Sequence, residues 1–258
     1  MSDFDDDLKL ALEAARVAGA LLLERFGGPA QGVERKSSRT DMVSDADREA
    51  ETAIEGVLLD ARPGDGLLAE EGARSEASSG RRWVVDPLDG TTNYLYGIPA
   101  WSVSIALEDG DGGAVGVVHD PVRGETFTAV RGQGAELNRH PLRLAAADRL
   151  DTALLATGFG YDPGNRAVQA QVLTTLLPRV RDIRRAGAAS LDLCSVAAGR
   201  VDAYYERGLS PWDWAAASLI AAEAGASVRR LEGEPTGLVA GPPELIDGLL
   251  ELVAAAEG

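Results

Sequence analysis

With 258 residues, 45% of them hydrophobic and 26% charged, the chain has enough apolar sequence for a large core. Its formal net charge of −16 argues against nucleic acid as a partner, because a phosphate backbone calls for basic surface. A lone cysteine, Cys194, excludes an internal disulfide framework and a thiolate metal cluster. No apolar run reaches the roughly 18 residues of a membrane span. The acidic start Ser2-Asp3-Phe4-Asp5 is the opposite of a basic leader, so a cytoplasmic location is expected.

Leu8, Ala11, Leu12, Ala15, Ala18, Leu22 and Leu23 recur at helical spacing and predict a helix over 5–26, closed by Gly27-Gly28-Pro29. A second helix is expected from Asp45 or Asp47 to about Ala61, with Ala53, Ile54, Val57 and Leu58 inward. Strands follow over 66–70, 82–86, 101–108, 114–119 and 124–130. Residues 101–107 alternate as a half-buried strand does, with Gly110-Asp111-Gly112-Gly113 as the hairpin turn. The stretch 74–80 reads as a mobile loop. Beyond about residue 150, strands (153–157, 182–185, 201–206) alternate with helices (163–177, 188–199, 211–225). Two more strands, near 226–231 and 237–240, precede a helix starting at Pro242-Pro243. The expectation is a single domain over 1–258, with an α+β half (1–145) joined to an α/β half (146–258).

Chemistry concentrates in Asp86-Pro87-Leu88-Asp89-Gly90-Thr91-Thr92-Asn93, which follows the apolar run Trp83-Val84-Val85. Carboxylates gathered at strand ends hold hard divalent cations, since Mg²⁺ takes oxygen ligands and keeps some of its waters. Such ions also invert the local field that would otherwise repel a phosphate from an acidic chain. Thr91 and Thr92 can open a short helix whose amides face the site, although Asp, Pro and Gly also suit a plain turn. Of Glu70 and Glu71 only one can face a site directly, because adjacent strand residues point to opposite faces; Glu70 is the choice. Ser210-Pro211-Trp212-Asp213 is a good helix start, and taken alone capping outranks metal binding for Asp213. Asp47 also sits at a helix start, where the dipole favours an acid. Lys36, His119 and His140 read as surface groups, and Cys194 as a buried spectator.

Together these segments resemble the inositol monophosphatase family of lithium-sensitive, magnesium-dependent phosphatases. The resemblance runs through Asp41-Met-Val-Ser-Asp-Ala-Asp47, Ala69-Glu70-Glu71, Trp83 to Tyr94, Gly187-Ala188-Ala189, Val201 to Glu206, Trp212-Asp213 and Glu223-Ala224-Gly225. It implies a layered αβαβα sandwich, usually a homodimer, with roughly two or three Mg²⁺ ions per site. It assigns metal binding to Glu70, Asp86, the Leu88 carbonyl, Asp89 and Asp213, and makes Asp47 and Thr91 the pair that orients the attacking water. Gly90, Thr91 and Thr92 would hold the phosphate, and Glu206, Ala189 and Asp213 would line the substrate pocket. The implied activity is hydrolysis of inositol 1-phosphate or a similar polyol phosphate by direct attack of metal-activated water. Histidinol phosphate is the alternative substrate, and a transcription-complex partner the alternative of another class. Ala69, Ala188 and Ala217 depart from residues common in the family and bear on substrate rather than catalysis.

Overall fold

The computed structural model describes residues 4–28, 31–36 and 42–257. Asp41, where one matching segment begins, and Pro29 of the expected helix stop lie outside the described residues.

Three helical layers sandwich two sheets. Helices α1 (Asp5–Arg25) and α2 (Asp45–Ala61) pack together, with the short pair β1 (Glu34–Arg35) and β2 (Met42–Val43) between them in sequence. The first sheet holds β3 (Gly66–Ala69), β4 (Arg74–Ser75), β5 (Arg82–Asp89), β6 (Ser102–Asp109), β7 (Gly112–Asp120), β8 (Glu125–Val130), β9 (Gly134–Leu137) and β10 (His140–Pro141). Its order is β10-β9-β8-β7-β6-β5-β3-β4, and the short α3 (Thr91–Leu95) follows β5. The second sheet, ordered β12-β11-β13-β15-β14, is built from β11 (Leu154–Thr157), β12 (Asp182–Arg184), β13 (Ala203–Arg207), β14 (Ser227–Leu231) and β15 (Gly237–Gly241). Helices α5 (Ala189–Ala197) and α6 (Pro211–Glu223) lie between the sheets, while α4 (Pro163–Leu176) and α7 (Pro243–Glu257) cover the outer face.

Each interlayer space is an apolar core. Ala11, Ala14, Ala15, Ala18 and Leu22 of α1 meet Trp83, Val85, Ile105 and Val117 of the first sheet. The opposite face of that sheet, with Val84, Ala106 and Val118, meets Ala215, Ala216, Ala217, Ile220 and Ala221 of α6. Small residues let the helix approach closely: a Cβ on Gly116 would stand 2.7 Å from the Ala216 carbonyl oxygen. Val172 and Leu176 of α4 and Ile246, Leu249 and Val253 of α7 pack on the outer face of the second sheet.

Several expectations need correction. Leu23 points outward, and Ala14 and Gly19 take the inner positions instead. The alternating strand β6 is buried on both faces, because α5 and α6 cover its serines; Ser102 and Ser190 hydroxyls meet at 2.8 Å. The 74–80 loop contains edge strand β4, and Ser78 and Ser79 amides donate to the Gly64 carbonyl. His119 is packed under α1, where a Gly19 Cβ would sit 2.7 Å from its ring, and its Nδ1 lies 2.9 Å from Thr126 Oγ1. His140 is exposed and Cys194 buried, as expected.

Candidate active site

Strand β5 does not stop at Asp86. It continues to Asp89 through a register shift, with Asp86 opposite Ser104 and Asp89 opposite Ser102. Pro87 falls inside this bulge, where its missing N–H removes no ladder bond. Asp86, Leu88 and Asp89 are all buried. Asp86 Oδ1 accepts from the Leu88 amide at 3.0 Å. Gly90 then turns the chain at φ +93°, a left-handed conformation that glycine tolerates. A side chain there would also meet the Ala100 carbonyl oxygen at 3.0 Å and Ala188 Cβ at 3.3 Å.

Thr91 opens α3 with its hydroxyl 3.1 Å from Asp47 Oδ1 and 3.1 Å from the Leu88 carbonyl oxygen. Asp47 is fully buried, and its other oxygen accepts from the Ser44 amide (2.9 Å) and hydroxyl (2.6 Å). The helix-start reading of Asp47 and its pairing with Thr91 therefore hold together: one oxygen caps α2 and the other meets Thr91. Burial raises its pKa, against the hydrogen bonds from Ser44 and Thr91.

The same economy applies to Asp213, whose Oδ2 accepts from the Ser210 amide at 2.6 Å at the start of α6. Burial raises its pKa well above the ordinary range, as do the charges of Asp89 and Glu70. Asp89 is held by the Ser190 amide (2.8 Å) and hydroxyl and by the Ala189 amide (3.3 Å). Its pKa is pushed up to about 6, chiefly by burial. Asp86 is raised by burial, then by Glu70, Asp89 and Asp213, and it shares a hydrogen bond with Glu70. Four acids from three separate stretches of the sequence thus lie within electrostatic reach of one another.

Lys36 is no simple surface charge. Its ammonium is partly buried and donates to Glu70 Oε1 at 2.8 Å and Glu71 Oε1 at 2.5 Å. Burial lowers its pKa, but the two glutamates raise it further and the net shift is upward. Glu71 is lifted to about 7 by burial. Among the described residues, no three histidine, cysteine or acidic side chains stand in a ready-made metal-holding arrangement. The donor set nonetheless suits a hard cation: its atoms are oxygens, its charge is in excess, and among the described residues only Lys36 pairs with it.

The residues expected on the substrate side come from the second sheet and the start of α5. Glu206, near the end of β13, is buried, accepts from the Tyr204 hydroxyl at 2.7 Å and is pushed up to about 7 by burial. Glu206, Ala189, Asp89 and Asp213 line one open cavity of about 110 Å³, together with Tyr161 and Arg185. Tyr161 hydrogen-bonds with Thr92, and burial raises its pKa.

Sequence reasoning missed four contributors. Glu51 of α2 accepts from the Glu71 and Ala73 amides at 2.7 and 3.0 Å and fixes the loop that carries Glu70. Ser190 orients Asp89. Asp192, buried on α5, is raised to about 8 by burial and by Glu206 and Asp89. Arg185 stands at the cavity. A serine, a helix-interior acid and a loop arginine carry no motif, so only the fold brings them into view.

Comparison with known proteins agrees with this architecture. Residues 3–256 match the inositol monophosphatase family model. The chain is 44% identical over 267 residues to inositol-1-monophosphatase SuhB of Mycobacterium tuberculosis, covering 96% of this chain and 92% of that one. It is 40% identical over 250 residues to Nus factor SuhB of Escherichia coli, covering 94% of each. The solved structure of extragenic suppressor protein suhB from Bartonella henselae superimposes with a TM-score of 0.88 at 39% identity, over 95% of this chain and 97% of that one. The chain belongs to the inositol monophosphatase family.

Proposed function

We propose that this chain is a Mg²⁺-dependent phosphomonoesterase acting on inositol 1-phosphate or a similar polyol phosphate. The observation that carries the reading is the buried Asp47–Thr91 pair beside the acids of β5 and α6. Nothing in a purely structural core calls for so many mutually repelling carboxylates. Glu70, Asp86, the Leu88 carbonyl, Asp89 and Asp213 are the groups that would hold roughly two or three Mg²⁺ ions, which supply Lewis acidity toward water and the phosphoryl oxygens.

The chain's own residues handle the proton. When the Thr91 hydroxyl donates to Asp47, its oxygen is left to accept a hydrogen from the attacking water. Water oxygen bonds to phosphorus in line as the ester bond breaks. The proton that water gives up passes to Thr91 as Thr91 passes its own to Asp47. One proton from a solvent water converts the departing alkoxide to an alcohol, and the Asp47 proton returns to solvent. Gly90, Thr91 and Thr92 form the turn that would receive the phosphate. Glu206, fixed by Tyr204, accepts hydrogen bonds from polyol hydroxyls. No side-chain nucleophile is needed.

Relatives named inositol-1-monophosphatase support the polyol substrate. Glu206 could equally pair with the amine of histidinol phosphate, which stands as the alternative within the superfamily. A second class of reading, partnership in a transcription complex, is favoured by the Escherichia coli relative's name, Nus factor. The net charge of −16 weighs against direct nucleic-acid contact. A cytoplasmic homodimer sensitive to lithium completes the proposal. The test is phosphate release with and without Mg²⁺ from inositol 1-phosphate, histidinol phosphate, fructose 1,6-bisphosphate, NADP and adenosine 3′,5′-bisphosphate. Magnesium-dependent release from inositol 1-phosphate supports the reading, and preference for histidinol phosphate replaces the substrate. Silence across the panel, with co-purification of RNA polymerase, would favour the second class.

A further inference from the structure

We propose that Arg185 selects for a second phosphate on the substrate, so that bis-phosphorylated polyols or sugars are preferred over monophosphates. This deepens the phosphatase reading and rests on it. Arg185 lies just beyond β12, where the chain turns toward α5. It is the one cation among the residues lining the cavity shared by Asp89, Glu206 and Asp213. Its neighbours are committed elsewhere: Arg184 pairs with Asp182 at 2.7 Å and Arg207 with Glu257. Arg185 makes no hydrogen bond or ion pair among the described residues.

The loop is built around this side chain. Gly187 has φ +94°, and a Cβ there would stand 2.3 Å from Arg185 Nη1 and 3.2 Å from Cζ. The guanidinium therefore lies folded over the glycine at the mouth of the cavity, while the residue stays exposed to solvent and open to a ligand. Asn93 Nδ2 donates to the Ala186 carbonyl at 2.9 Å and to the Ala100 carbonyl at 2.7 Å, which pins the loop to the turn that carries Thr91 and Thr92. A guanidinium over this turn with no carboxylate in hydrogen-bond contact, although Glu206 and Asp192 feel its charge, suits a bidentate phosphate, whereas a neutral polyol offers it only single hydrogen bonds. Hydroxyls fall to Glu206, and a second anion falls to Arg185. The competing role is internal, since Arg185 also acts electrostatically on Glu206 and Asp192. In that case it would serve every substrate alike.

Matched substrate pairs separate the two roles. Inositol 1-phosphate is compared with inositol 1,4-bisphosphate, and fructose 1-phosphate with fructose 1,6-bisphosphate. Binding is read by calorimetry with Ca²⁺ in place of Mg²⁺, and phosphate release with Mg²⁺, for wild type, Arg185→Gln and Arg185→Lys. Wild type is expected to bind at least one bisphosphate about tenfold more tightly than its partner, as loss of a charged hydrogen bond implies. Arg185→Gln should erase that preference by weakening bisphosphate binding about tenfold more than monophosphate binding, and Arg185→Lys should keep part of it. Equal weakening of both members of a pair, or no preference in wild type, overturns the proposal. Arg185-dependent bisphosphate binding with no phosphate released would leave the proposal standing and overturn the phosphatase reading.

Discussion

Thr91 shows how little a single hydroxyl can be spared. Its one proton serves either Asp47 or the Leu88 carbonyl, each 3.1 Å away, and its state decides whether the oxygen can accept from water. Thr91→Val keeps the shape and removes this choice. Phosphate release should fall about 100-fold, the lower range for a lost general-base function, while Thr91→Ser retains most of it. Circular dichroism melts would show whether the loss is catalytic; a valine variant with full turnover removes Thr91 from the proposed mechanism. Asp192 offers a second residue-scale test. Its pKa of about 8 in the fold lies above the usual value for an aspartate, about 3.9, so the folded state holds the extra proton between those limits. Stability should therefore decline as pH rises through that window, with the full penalty present above about pH 8. Asn keeps the shape and an oxygen acceptor. Asp192→Asn should raise the melting temperature by a few degrees at about pH 9 and leave it unchanged near pH 4. An equal change at both pH values would assign the effect to packing instead.

At the scale of elements, the legible parts were those with local causes. Ser44 with Asp47 and Ser210 with Asp213 announce helix starts, and α2 and α6 begin there. Small and apolar spacing gave α1, but Leu23 looked inward because sequence spacing alone cannot say where a narrow alanine face ends. Strand β6 was misread as half-buried because its polar partner, Ser190, lies 88 residues away. The strand expected over 82–86 runs on to Asp89, because a bulge absorbs Pro87. Glu51 belongs to this scale too, as a helix residue that holds a loop through two amides, 20 and 22 residues downstream. Removing it leaves both N–H groups to find water or go unpaired, at about 1–3 kcal/mol each if buried. Glu51→Ala should lower the melting temperature and raise the Mg²⁺ concentration for half-maximal activity several-fold, because Glu70 loses its fixed loop. An unchanged Mg²⁺ requirement in a destabilised variant would confine Glu51 to folding.

Across the whole molecule, the site draws on α2, the β3–β4 loop, β5, the start of α5, β13 and the start of α6. Ser102–Ser190 and Asn93–Ala186 tie the layers that meet there, and the Glu223 carboxylate on the Gly132 and Gly134 amides ties them at the far end of α6. The order of the motifs made the layered architecture and the gathering of the acids legible, because those residues are few and chemically distinctive. Arg185, Asp192 and Ser190 were not, because their types are common and their roles arise only after the second sheet is in place. A chain of net charge −16 that buries acids around one lysine carries uncompensated repulsion at its centre. A ligand that binds the folded state alone stabilises it by mass action, and a divalent cation would also relieve that repulsion. Mg²⁺ at about 5 mM should therefore raise the melting temperature above its value in EDTA. Asp213→Asn separates this from general screening: it removes one repelling charge while its side-chain oxygen can still accept from the Ser210 amide. That variant should melt higher than wild type in EDTA and lose most of the Mg²⁺ increment. If it keeps the full increment, the ion acts at the acidic surface and the carboxylate cluster is not its site.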